Sequence, residues 1–447
     1  MRNIFIACLL LLICNSCLVI ENRFSGLPPG PWRGILKLEL NPVAPNPRGE
    51  PLPEKLNYEF EEVTDGELPF NFEIKYPNPD SFYIELQNGE ERIVVDDITI
   101  GLDRATAKDT VLIEFPVYNS YIRGIFQENV IQGEWVDRNR GEDYSIPFVA
   151  YHGENHRFTK LRKEPLMDIT GKWDVTFGIE QEDSTEQFPA VGEFQQDGNQ
   201  LTGTFLTNTG DYRYLEGTVQ GNKLYLSTFD GTHAYLFEAK IQPDSTLIGS
   251  YRSGRHFRTL WSAKPASDPQ LADPDALTFL QEGYDTFDFS FPAPDGEMVS
   301  PNAPRYQDKV KIIQIFGTWC PNCRDETEFL IDYIENNPSA DLAVIGLAFE
   351  KQEGKGATEA IRRYKRELGV NYELLHAGPA SKDEASRALP MLNEVTSFPT
   401  LIFLDRSNQV RRIQTGFAGP ATSKYQQFKS EFESTVSELL RGDQGLQ

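Results

Sequence analysis

The chain has 447 residues, enough for more than one domain, with apolar and aromatic residues sufficient for sizeable cores. Acidic side chains outnumber basic ones, 67 to 43, giving a net charge of −24. That balance argues against nucleic acid as a partner and against a mainly electrostatic grip on anionic lipid.

The N-terminus reads as an export signal: Arg2, an apolar run from Ile4 to Ile13, then small or polar residues up to Cys17. The run is too short to span a bilayer as a permanent helix. Ser16-Cys17 resembles a bacterial lipobox, with Cys14 standing where such boxes carry Leu or Val. The resemblance implies that residues 1–17 are a signal peptide and lipobox, and that cleavage leaves Cys17 lipidated and the membrane reached through that lipid. A simple cleaved signal is the alternative. Of the five cysteines, Cys8 and Cys14 leave with the signal and Cys17 carries lipid or is lost, so Cys320 and Cys323 remain. An exported chain with no structural disulfides and one Cys-x-x-Cys pair uses that pair for chemistry.

Residues 28–160 and 166–265 read as two β-rich modules with little helical periodicity. Phe82 to Leu86, the Asn88-Gly89 turn and Ile93-Val94-Val95 form a hairpin signal. The modules look like a repeat, one opening on Gly30-Pro31-Trp32 and the other on Gly171-Lys172-Trp173. An aliphatic-x-Gly-x-aromatic or aliphatic pattern recurs at Ile122–Phe126, Ile131–Trp135, Leu201–Phe205, Leu215–Val219 and Leu247–Tyr251. Alternation puts its aliphatic, glycine and final residue on one face, where a glycine lets a small closed sheet bend. The second module resembles lipocalin or avidin-like up-and-down barrels, and a sandwich is the other reading. Inward aromatics are expected to be packing rather than a ligand pocket. His152 and His156 fall in a polar connection and read as surface residues, while His233 and His256 are given no role.

Residues 266–283 have the composition of a linker. Phe287-Asp288-Phe289-Ser290-Phe291 alternates as a strand. The apolar run Val310 to Ile315 then leads into Phe316-Gly317-Thr318-Trp319-Cys320-Pro321-Asn322-Cys323, ahead of a helical pattern from Asp325 to Ile334. A strand feeding a helix through a Cys-x-x-Cys turn suits redox chemistry. The helix start offers unpaired N–H groups and a positive dipole end, both favouring a thiolate at Cys320. Cys320 is therefore the expected nucleophile, and Cys323, one turn on, the residue that resolves a mixed disulfide. A structural disulfide and half a zinc site are the alternatives, although downstream His376 stands alone as a ligand. Beyond the motif, Leu342 to Phe349 suits a buried parallel strand, and Thr358 to Leu368 a helix. Tyr372 to Leu375 reads as a strand, Ser381 to Leu392 as a helix, Phe398 to Leu404 and Val410 to Phe417 as a hairpin, and Tyr425 to Leu440 as a closing helix. The fold class expected is two all-β modules followed by an α/β domain with helices on both faces of a mixed sheet.

Gly317-Thr318-Trp319-Cys320-Pro321-Asn322-Cys323 with Glu326 three residues later, and Ser397-Phe398-Pro399-Thr400 before an apolar run, resemble the thioredoxin fold of the TlpA/ResA type. The resemblance covers roughly residues 284–442, with Tyr372–Leu375 and Ser381–Leu392 as that type's extra β–α insertion. It implies a cis peptide at Pro399, which would expose the Phe398 backbone to a partner's extended segment, with Trp319 beside it. It also implies a tuning role for Glu326, since Gln314 occupies the strand position where ordinary thioredoxins carry an acid. The activity implied is a protein-disulfide reductase of the bacterial cell envelope, fed by a membrane thiol donor and acting on disulfide-containing envelope proteins, with no cofactor or metal. The rival classes are a ligand- or partner-binding lipoprotein with an accessory redox domain, and an isomerase.

Overall fold

The computed structural model describes residues 26–38, 60, 63–141, 143–181, 183 and 186–442. The export signal and Cys17 lie outside them. No helix among the described residues is long and apolar enough to cross a membrane.

Among the described residues, two large antiparallel sheets precede a smaller mixed one. The first holds β1 (Gly30–Lys37), β2 (Glu67–Asn78), β3 (Ser81–Asn88), β4 (Glu91–Val95) and β5 (Ile98–Asp103). It continues through β6 (Lys108–Phe115), β7 (Ser120–Gln127), β8 (Val130–Asp137) and β9 (Ser145–His152). The order is β4-β3-β2-β1-β9-β8-β7-β6-β5, so β1 pairs with β9 and the ring stays open between β4 and β5. The expected hairpin is β3–β4, with Asn88 opposite Glu91 and Gly89 at φ 54°.

The second sheet closes. It runs β10 (Gly171–Phe177), β11 (Phe188–Asp197), β12 (Gln200–Thr207), β13 (Gly210–Asp211), β14 (Leu215–Gln220) and β15 (Lys223–Phe229). It ends on β16 (Ala234–Ile241), β17 (Leu247–Ser253) and β18 (Phe257–Pro265). β10 pairs with both β11 and β18, and β11 pairs with β12, which seals an eight-stranded up-and-down barrel of which the short β13 is a side branch. The reading as a barrel rather than a sandwich holds here. The repeat is also visible in local detail. Trp32 Nε1 donates to Pro28 O at 3.1 Å and Trp173 Nε1 to Ile169 O at 2.9 Å, each acceptor four residues before its tryptophan.

Aromatic side chains fill the barrel. Phe205 stacks on Phe237 at 4.5 Å, Phe237 on Tyr251 at 4.5 Å, and Phe177 and Trp261 are fully buried among them. The expectation of packing rather than a pocket holds. The outer face of the barrel completes the open ring: Tyr225, Phe229, Ala234 and Leu236 belong to the first module's core, and Phe229 lies 4.5 Å from Phe70. Leu224 and Leu226, on the opposite face of β15, point into the barrel, so β15 is buried on both faces.

The C-terminal sheet has the order β23-β22-β21-β24-β25. Its strands are β21 (Val310–Phe316), β22 (Leu342–Glu350), β23 (Glu373–Pro379), β24 (Thr400–Leu404) and β25 (Val410–Thr415), following a two-residue hairpin, β19 (Phe291–Pro292) and β20 (Met298–Val299). β21, β22 and β23 are parallel, and β24 and β25 antiparallel. The helices are α1 (Pro321–Asn336), α2 (Lys355–Leu368), α3 (Lys382–Ala388) and α4 (Tyr425–Arg441).

Three expectations need correction. Phe287 to Phe291 alternates in burial but forms no regular strand; one N–H, from Phe287 to Asn408 O at 3.0 Å, and an isolated bridge at Thr286 hold it along β25. The end of the 266–283 segment, expected to be a linker, is stitched to the C-terminal domain. Phe279 N–H donates to Asn393 Oδ1 at 2.7 Å, and Arg412 Nε to Asp275 at 2.9 Å. His152 is not a surface residue: it ends β9, lies 5.1 Å from Trp32 and bonds to Pro29 O at 3.0 Å, and His156 is likewise half-buried.

The recurring glycines have a sharper role than bending. A Cβ on Gly217 would run into Tyr225 O on the next strand, and one on Gly133 into Arg123 O. Side chains at these positions are blocked by the neighbouring backbone, which cannot yield without breaking the ladder. Gly217→Ala should therefore destabilise the protein on the overpacking scale of about 1–3 kcal/mol. Thermal unfolding followed by circular dichroism would register this as a midpoint several degrees lower; an unchanged midpoint would show that the barrel has slack.

Candidate active site

The motif sits where the fold concentrates helix-end polarity. β21 is buried along its whole length and delivers the chain to α1, with Pro321 in the first helical turn and Cys320 as its N-cap. Cys320 Sγ accepts the Cys323 N–H at 3.2 Å, one of the donors the helix start leaves unpaired. The two cysteines are joined as a disulfide, with Cα atoms 5.2 Å apart. Cys323 is fully buried, and Cys320 is only 7% exposed. Cys320 is thus the more accessible sulfur, as expected, but a far less open one.

The Phe398–Pro399 peptide is cis, and Phe398 O lies 3.5 Å from Cys320 Sγ. Trp319 packs edge-on against Phe398 at 5.7 Å, bonds through Nε1 to Phe349 O at 2.9 Å, and carries Lys351 over its ring at 4.8 Å. Two loops far apart in sequence therefore meet at the sulfurs, as the resemblance implies.

Beneath Cys323 lies a buried polar group. Gln314 Nε2 donates to Glu326 Oε2 at 2.9 Å and to Cys323 O at 3.4 Å, and Tyr372 donates to Gln314 Oε1 at 3.0 Å. Glu326 is wholly buried, and its Oε1 has no hydrogen-bond partner among the described residues. Burial pushes its carboxyl up to about 8, against the opposing effect of the Gln314 bond. So the strand position keeps an uncharged amide, while the helix supplies the acid that shares its hydrogen bond.

Sequence reasoning missed Glu350. At the end of β22, it accepts the Thr318 N–H at 3.0 Å and the Thr318 hydroxyl at 2.7 Å, fixing the turn before Trp319. Burial pushes it up to about 7, while the Thr318 bonds pull it down. The signal available was its place at the carboxyl end of a parallel strand, where sites in α/β sheets collect. Also missed was Asp325, two residues past Cys323, whose carboxylate accepts two bonds of 2.7 Å from Arg213 of the barrel.

Residues 283–413 match the family model described as the AhpC/TSA family. A search of curated proteins found no match. Among solved structures, the chain is similar to a thioredoxin-family thiol:disulfide interchange protein from Chlorobium tepidum TLS, 22% identical over 36% of this chain and 98% of that one, with TM-score 0.27. A putative protein disulfide isomerase from Bacteroides thetaiotaomicron is 19% identical over 36% and 93%, TM-score 0.28. A putative thiol:disulfide interchange protein DsbE from Chlorobium tepidum is 16% identical over 35% and 99%, TM-score 0.28. Strand order, helix placement and the family match give the C-terminal region the thioredoxin-like fold.

The raised Glu326 carboxyl has a consequence for stability. Below about pH 4.5 the group holds a proton both folded and unfolded; from there to about 8 only the folded chain keeps it. Its contribution is therefore lost as pH rises, at about 1.4 kcal/mol per unit, and levels off above the folded value. Glu326→Gln removes that slope, so from pH 6 to 8 the variant should gain roughly 2 kcal/mol on the wild type. Urea unfolding at pH 6, 7, 8 and 9 would measure the difference, and parallel curves would show Glu326 to be ionised in the fold.

Proposed function

We propose that this chain is an exported thiol–disulfide oxidoreductase of the TlpA/ResA type, acting as a reductase of protein disulfides in the bacterial cell envelope. The observation that carries the reading is the position of Cys320 Sγ. It caps α1, takes the Cys323 N–H at 3.2 Å and lies 3.5 Å from Phe398 O at a cis proline. A sulfur so placed is stabilised as a thiolate by the helix end and stands beside backbone that can pair with an extended partner.

In this reading a membrane thiol donor reduces the Cys320–Cys323 disulfide. The Cys320 thiolate then attacks one sulfur of a partner disulfide, forming a mixed disulfide and expelling the partner's other sulfur as thiolate. Cys323 loses its proton and attacks Cys320 Sγ, releasing the second partner thiolate and restoring the disulfide. Glu326, with a carboxyl near 8, is the group suited to take up and return that proton. Trp319 and Phe398 wall the sulfurs, and the Phe398 backbone aligns the partner. The aromatic filling of the barrel speaks against the rival reading of a ligand-binding lipoprotein. The redox potential of the full chain tests the direction of electron flow: a value near about −270 mV marks a reductant, and one near about −120 mV an oxidant.

Cys323→Ser should accumulate mixed disulfides with envelope proteins on non-reducing gels, while Cys320→Ser should not. Trapping by Cys320→Ser alone would reverse the assignment of roles. For the anchor, Cys17→Ala should move the protein out of the membrane fraction and leave in vitro disulfide reduction unchanged. Soluble wild-type protein with a cleaved, lipid-free N-terminus by mass spectrometry would rule the anchor out.

A further inference from the structure

The face of the redox domain that this chemistry requires is covered. The turn between β12 and β13, Asn208-Thr209, lies across it together with Gly210 and Asp211. Ser397, two residues before the cis proline, donates its hydroxyl to Thr209 O at 2.9 Å. Asn322, between the two cysteines, donates Nδ2 to Asp211 O at 3.2 Å. Gly419 N–H, beyond β25, donates to Asp211 Oδ2 at 2.6 Å. A Cβ built on Gly416 would stand 2.9 Å from the Thr209 carbonyl carbon, and one on Gly210 would collide with Asn322 Nδ2. Three separate segments around Cys320 thus close on one short piece of the barrel. They bond to two of its main-chain carbonyls, the kind of contact an extended partner segment would offer.

The character of the two inter-module contacts differs. The first module and the barrel share an apolar core through Tyr225, Phe229 and Leu236, which makes them one body. The barrel meets the redox domain through polar pairs: Arg213 with Asp325, Glu193 with Ser423 at 2.6 and 2.7 Å, and the Asp211 and Thr209 bonds above. The first module adds Tyr118, which accepts a bond from Arg324 at 3.2 Å, and Val117 against the redox core. Contacts of this polar kind between domains of one chain open more readily than a shared apolar core. The connection itself, residues 266–272, is largely exposed.

We propose that the β12–β13 turn is an intramolecular occupant of the partner groove. Protein disulfides then reach Cys320 only when the β-body swings away from the redox domain. The proposal rests on the oxidoreductase reading. It also describes the partner segment the groove takes: a main-chain carbonyl for the Ser397 hydroxyl, with an acidic side chain two residues later for the Gly419 N–H.

The test uses the full chain, reduced, with three readouts: iodoacetamide alkylation of Cys320, reduction of insulin, and reduction of a small aromatic disulfide. Asp211→Ala removes the charged bond to Gly419. If the turn blocks the groove, alkylation and insulin reduction should rise about ten- to hundredfold, the population scale of losing a charge-assisted bond. Glu193→Ala, which removes the bonds to the exposed Ser423, should give a smaller rise of about three- to tenfold and covers the case in which Asp211→Ala fails to fold. Unchanged rates in folded variants, or slower insulin reduction, would overturn the occlusion while leaving the redox reading intact. If the wild type and both variants exchange with neither insulin nor the small disulfide, the redox reading itself fails.

Discussion

A single buried cation, Arg213, holds the three parts of this protein in register. It is 6% exposed and sits at φ 58°, at the end of the turn that reaches the active site. Its guanidinium faces Glu91 from the β3–β4 hairpin of the first module, Asp230 from the barrel at 3.5 Å, and Asp325 from α1 at 2.7 Å. Burial opposes its charge, but Asp325 and Glu91 outweigh that cost and hold it well above the ordinary arginine range. Each carboxylate comes from a different module, so Arg213 couples all three in the closed arrangement, and parting the β-body from α1 would open Arg213 and Asp325 to water, which screens both charges. The cluster explains why a hairpin in the first module, a barrel turn and α1 meet at one place when the β-body is closed on the C-terminal domain.

That geometry bears directly on the sulfurs. Asp325 is two residues beyond Cys323, so the pair that fastens the barrel also fastens the first turn of α1. Burial raises the Asp325 carboxyl against the pull of Arg213, and burial pushes Glu350 up to about 7 and Glu326 up to about 8 on either side of the motif. Glu350 and Glu326 thus have protonation states close to balance near neutral pH, while the two bonds from Arg213 hold Asp325 as the charged partner. An arrangement of this kind concentrates at functional sites because burial disfavours the charge that water would otherwise support.

The local geometry of the site was legible from the chain alone. The apolar run before Phe316, the proline after Cys320 and the two-residue spacer specify a strand, a helix start and a pair of sulfurs on one turn, all within a dozen residues. Glu326 was legible for the same reason, since one helical turn separates it from Cys323. The β-modules were legible as strands, because alternation and Gly-containing turns are local. Their closure was not. Whether a meander seals depends on the summed twist of all its strands and on what fills the ring. Here β10 meets β18 and the second ring closes on its own aromatics, while the first stays open and takes Phe229 and Tyr225 from its neighbour.

What the sequence determined, then, is everything carried by neighbours along the chain: the Cys-x-x-Cys turn, the helix it opens, the alternating strands and the repeated Gly-x-Trp openings. Tertiary structure alone decided the burial of Cys320, the pairing of Arg213 with Asp325 across 112 residues, and the seating of Thr209 against Ser397 across 188. Those contacts join polar residues with no periodicity to mark them. A buried arginine and a solvated one read alike in a sequence, because the difference lies only in which distant carboxylates the packed modules bring within reach.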